Sequence, residues 1–80
     1  MDLKAYLSSQ RGRLVSLSRA IGAYASDVSA WASGARPVPL VYGVAIERAT
    51  GGIVTRHDIF SADVIARVWP ELVRQEGEGA

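Results

Sequence analysis

"LSRAIGAYASDVSAWASGARPVP", residues 17–39, holds two short amphipathic runs that are parted by Gly22 and stopped by Gly34, Pro37 and Pro39. Before the glycine, Leu14, Leu17 and Ile21 recur at helical spacing, with Val15 and Ser18 flanking them. Gly22 can take the positive φ that turns a chain sharply after a helix. Beyond it, Val28, Trp31 and Ala32 fall on one face of a second helix, which the glycine and the two prolines end. That second run consists mostly of alanine and serine and contains no lysine or arginine. Two helices set this close predict a hairpin whose second member has one face packed and one face polar and slim.

Toward the N-terminus, Asp2 can accept from the free backbone N–H groups of a helix starting at Leu3, with Leu3, Tyr6 and Leu7 on one face and an end near Gly12. Toward the C-terminus, Pro39 suits the first turn of a helix running from Leu40 to Thr50, which Gly51 and Gly52 end. This helix is apolar nearly all round, so it is expected to be central to the core, and any face left over suits a dimer contact. Gly43 in its middle costs up to about 1 kcal/mol relative to alanine and points to a close approach by a neighbouring helix or chain. Residues 53–60, IVTRHDIF, read as an extended connector with a capping candidate at Asp58. Ser61 then caps a short helix whose Val64, Ile65 and Val68 can pack inward, closed by Trp69 and Pro70. The expected architecture is all-α, a compact four- or five-helix domain over residues 1–70. Residues 71–80 are expected to form a flexible acidic tail, since QEGEGA from Gln75 is too polar and glycine-rich to order itself.

Eighty residues with 49% apolar side chains suffice for one core. A chain of this size buries only about 60–65% of its extended surface and has little stability to spare. No cysteine is present, so neither disulfides nor thiolate metal sites can supplement that core, which fits a reducing compartment. The opening MDLKAYLSSQRGR lacks the apolar stretch of a signal peptide, and no window approaches the roughly 18 apolar residues of a membrane span. The expectation is a soluble cytoplasmic protein with no membrane partner.

The net charge of +1 hides an asymmetry between the two halves. Residues 1–40 carry Lys4, Arg11, Arg13, Arg19 and Arg36 against Asp2 and Asp27, a balance of +3. Residues 41–80 carry four arginines against Glu47, Asp58, Asp63, Glu71, Glu76 and Glu78, a balance of −2. A basic first half is what a polyanion requires, but charge alone leaves ordinary solvated surface as the leading explanation.

The major groove of DNA, about 12 Å wide, admits one α-helix, and presenting a helix there requires a second helix braced across it by a short turn. Residues 14–33 have that form. Ser18 is small enough for a close crossing, Gly22 makes the turn, and Val28 and Trp31 follow six and nine positions later. Periodicity alone also admits a plain helical hairpin within a bundle.

The segments LSRAIGAYASDVSAW, GARPVP, AIERATGG and VTRHDIF resemble the YdaS-type antitoxins and Cro-like regulators of the phage Cro/CI repressor superfamily, over residues 3–60. The resemblance implies a lambda repressor-like helix-turn-helix domain whose third helix enters the major groove of operator DNA, often as a homodimer on a palindromic site. It also implies a small prophage-type repressor or antitoxin, the latter with a cognate toxin as partner, and no cofactor. Carried over by position, Gly22 is the turn glycine and Ser18 the small packing residue. Tyr24 stands where relatives place a Ser/Thr cap, so its phenol either reaches a phosphate or packs. Ala25, Ser26, Ser29 and Ala30 fall at the groove-facing positions, but Ala25 replaces a frequent glutamine and removes that residue's bidentate contact to adenine. Serine hydroxyls meet several bases without strong preference and alanine methyls can meet thymine methyls, so discrimination by this helix is expected to be modest. Affinity would come from the phosphates, with Arg11, Arg13, Tyr24, Ser33 and Arg36 as the contacts and DNA shape adding specificity. Lys4 and Arg19 are secondary candidates.

Asp27 stands apart. Near a helix N-terminus a carboxylate is favoured by the macrodipole, by roughly 0.3–1 kcal/mol, which is the leading explanation; accepting from a cytosine amino group is the alternative. Pointed at phosphates, it would weaken DNA binding and favour a protein-interaction module, such as an antitoxin contacting a toxin or polymerase subunit. Nothing in the sequence favours an enzyme. His57 and Asp58 have no second His–Asp element or cysteine to complete a usual zinc site, and none of the eight serines has a base at a recognisable spacing. Thr50, Gly51 and Gly52 read as a helix end rather than a phosphate loop. Trp31 and Trp69 are expected in packing roles.

Overall fold

The computed structural model describes residues 1–73, and their secondary structure is entirely helical. The elements are α1 (Leu3–Ser9), α2 (Arg13–Ile21), α3 (Ala25–Ser33), a 3-10 turn (Leu40–Tyr42), α4 (Gly43–Ala49), α5 (Arg56–Ile59) and α6 (Ala62–Val68). Of the tail expected over 71–80, residues 71–73 continue a helical turn that starts at residue 70, and residues 74–80 lie outside the described residues.

The caps follow the local chemistry. Asp2 Oδ1 accepts from the Ala5 N–H at 2.7 Å, satisfying one of the free donors of α1. Gln10 is extended, so α1 stops three residues before Gly12. Gly22 adopts φ +73°, and the Ala23 N–H reaches the Ser18 carbonyl at 3.0 Å, which closes the end of α2 and reverses the chain. Ser61 Oγ accepts from the Val64 N–H at 3.3 Å, as the sequence suggests.

Leu3, Leu17, Val28, Ile46 and Val54 form the core, one residue from each of α1, α2, α3 and α4 and one from the loop before α5. α2 packs on both α3 and α4, and α1 lies against α2 and α3. Ser18 is buried where this crossing needs a small residue, and its hydroxyl donates to the Leu14 carbonyl at 2.6 Å. Trp31 and Tyr42 pack in a tilted arrangement with ring centroids 5.0 Å apart, which fixes α3 to the 3-10 turn. Thr50 is also buried: its hydroxyl accepts from the Val54 N–H at 3.1 Å and has the Glu47 and Val54 carbonyls within 3.3 Å for its one proton.

Three expectations require correction. The helix read over 40–50 is divided: Pro39 is extended (ψ 142°), so the first turn closes in 3-10 geometry, with the Tyr42 N–H on the Pro39 carbonyl at 3.0 Å, and α4 begins only at Gly43. The connector read over 53–60 contains α5, because Asp58 accepts from both the N–H and the hydroxyl of Thr55 (2.9 and 3.1 Å) and so organises a helical turn. Val68 is exposed; Ile65 alone of the α6 residues is fully buried. The close approach expected at Gly43 is present: a Cβ there would lie 2.7 Å from Phe60 and 3.1 Å from Trp69. Phe60 and Trp69 themselves pack 5.4 Å apart, and the Arg56 guanidinium lies 5.2 Å from the Trp69 ring while pairing with Glu47 at 3.0 Å.

Candidate nucleic-acid interface

α3 is held by one side. Val28 has no exposed surface and Trp31 and Ala32 are half-buried, whereas Ser26, Ser29 and Ser33, at spacings of three and four, are exposed. Ala30 lies between these serines and is half-buried, as is Ala25 at the first turn. Four of the residues assigned to base edges or phosphates, Ser26, Ser29, Ala30 and Ser33, thus share one stripe. Ser33 is partly occupied at home, donating to the Ala30 carbonyl at 3.1 Å. Tyr24 precedes this helix with an extended backbone and a side chain that makes no cap; at 79% exposure its phenol projects from the N-terminal end of α3.

The arginines separate into three environments. Arg11 is exposed in the α1–α2 loop and has no protein partner among the described residues. Arg13, expected on a phosphate, lies against α1: it donates to Ser9 Oγ at 2.7 Å and to the Tyr6 carbonyl at 3.5 Å, and its guanidinium lies 4.2 Å from the Tyr6 ring centroid. Both bonds leave from the same Nη1, so the remaining guanidinium donors and the positive charge are not taken up by a carboxylate among the described residues. Arg36 donates to Asp27 Oδ1 at 2.5 Å. The sequence gives no hint of that pair, because a separation of nine residues matches no helical neighbour spacing; it exists because the turn at Gly34 folds residues 35 and 36 back along α3.

A cleft of about 300 Å³ opens beside the stripe, lined by Leu7, Leu14 and Ala32 at its floor and by Lys4, Ser8, Ser29 and Ser33. Lys4, a secondary candidate from sequence, therefore stands next to α3. The i, i+4 relation of Lys4 and Ser8, on the face of α1 adjoining Leu3 and Leu7, is the signal that places them together.

The other residues with chemical potential have structural explanations. Asp58 has its carboxyl held below the ordinary carboxylate value, chiefly by the Thr55 N–H, with burial opposing and the N-terminal ammonium at 3.1 Å assisting. Among the described residues no three His, Cys, Asp or Glu side chains come together as a metal site. No helix among them is long and apolar enough to cross a membrane. Compared with known proteins, the chain matches no family model, no curated protein and no solved structure.

Proposed function

We propose that the protein is a DNA-binding transcription regulator of the Cro-like or YdaS-type antitoxin kind, with α2 and α3 acting as the helix-turn-helix of a lambda repressor-like domain. In this reading α3 enters the major groove of operator DNA in the cytoplasm, and the protein works as a homodimer on a palindromic site. The observation that carries it is the division of α3 into a wholly buried side, at Val28, and an exposed side of serines narrow enough to approach base edges. Lys4 supplies a cation beside this surface, Arg11 a second in the α1–α2 loop, and Tyr24 adds a phenol at the helix start.

A fluorescence-anisotropy titration with duplex from the protein's own upstream region at ~0.1 M salt tests the reading. Saturable binding tighter than to random duplex is expected; equal affinity for the two would contradict a sequence-specific regulator. A second reading, an interaction module holding a toxin or polymerase subunit, draws support from Leu40 and Val41. These adjacent side chains of the 3-10 turn are 46% and 82% exposed, an apolar surface of the kind that partner proteins cover.

A further inference from the structure

Residues 23–36 contain only two charged side chains, Asp27 and Arg36, and these are bound to each other. Resting on the DNA-binding reading above, we infer that Asp27 limits the sequence-independent affinity of the protein: by pairing with Arg36 it cancels that arginine's charge beside α3 and weakens binding to DNA of arbitrary sequence.

The geometry is built from both ends of α3. Asp27 lies in the first turn, where the macrodipole favours a carboxylate. At the other end, the Ala35 and Arg36 N–H groups both reach the Ala30 carbonyl, at 3.0 and 3.3 Å, which directs the chain back beside the helix and brings the guanidinium within 2.5 Å of Asp27. Both partners stay accessible, the Arg36 side chain 57% and the Asp27 side chain 33% exposed, so a phosphate can reach the pair. Phosphate attraction to Arg36 is then offset by repulsion from Asp27 a few ångströms away. Sequence-independent affinity scales with the number of phosphates neutralised, so a pair of net zero charge contributes little to it. Discrimination is left to the serines and to DNA shape.

Four variants test this on random and upstream duplex across a salt series: Asp27→Asn, Asp27→Ser, Arg36→Gln and the double variant D27N/R36Q. Freeing Arg36 adds about one phosphate contact, so D27N and D27S are expected to bind random duplex about eightfold more tightly at ~0.1 M salt and to steepen the log–log salt slope by about one. Arg36→Gln leaves a bare carboxylate and is expected to weaken binding and flatten the slope. The double variant is expected to return to the wild-type slope, which a merely structural role for either residue would not produce. D27S provides the same charge change with a residue suited to a first helical turn, and far-UV circular dichroism verifies helix content in each variant. Wild-type slopes in D27N and D27S, or a double variant that behaves like R36Q, would overturn the role of Asp27 and leave the DNA reading standing. A folded wild type that binds no duplex even at ~0.02 M salt would remove both.

Discussion

Gly43 shows how closely single side chains are fitted in this small domain. The hydrogen in place of a side chain lets Phe60 and Trp69 lie against α4, and a Cβ would meet Phe60 at 2.7 Å. Gly43→Ala gains helix propensity but must displace two rings, and overpacking of this kind costs about 1–3 kcal/mol. Urea denaturation is expected to show a net loss of stability; a gain would mean that the rings move aside freely. Arg11 and Arg13 give the second residue-scale contrast, two positions apart and differently engaged. Arg11→Ala is expected to lower the salt slope of DNA binding by about one while leaving stability unchanged. Arg13→Ala is expected to do the reverse, costing about 1 kcal/mol by removing the Tyr6 and Ser9 contacts. Salt titration and urea melts on the two variants separate these outcomes, and a slope change in Arg13→Ala equal to that in Arg11→Ala would return Arg13 to the phosphates.

Among the elements, α5 departs furthest from its sequence signature. Ile53 to Thr55 have strand-like composition, and four residues are too few for any periodicity to register. The organising feature is instead Asp58, whose carboxylate gathers the N–H and hydroxyl of Thr55. Because this lowers the acid's folded-state pKa, its stabilisation is fully present above the unfolded-state value and is lost as pH falls through the folded one. Thermal melts from pH 6 down to pH 2 are therefore expected to fall less steeply for Asp58→Asn than for wild type; parallel curves would show that the carboxylate contributes nothing. By contrast α1, α2 and α3 were legible because stripe, cap and glycine agree at each boundary: Asp2 before Leu3, Gly22 after Ile21, Gly34 after Ser33. The exposed stripe on α3 could be read the same way, from the complement of Val28 and Trp31. The Asp27–Arg36 pair and the contacts of Arg13 with α1 could not, because each depends on where a loop or a neighbouring helix directs a long side chain.

At the scale of the whole molecule, charge is distributed by pairing as much as by sequence. Arg36 is paired with Asp27, Arg56 with Glu47 and Arg67 with Asp63, whereas Lys4, Arg11, Arg13 and Arg19 in the first half and Arg48 on α4 have no carboxylate partner among the described residues. Four of these five cations lie on α1, α2 or the loop between them, and both helices pack against α3, whereas Leu40 and Val41 belong to the 3-10 turn. Amide chemical-shift mapping during titration with upstream duplex tests this arrangement most directly. The largest shifts are expected at Tyr24, Ser26, Ser29 and Ala30, with smaller ones around Arg11. Shifts confined to residues 40–41 and 60–73, with α3 unmoved, would contradict it.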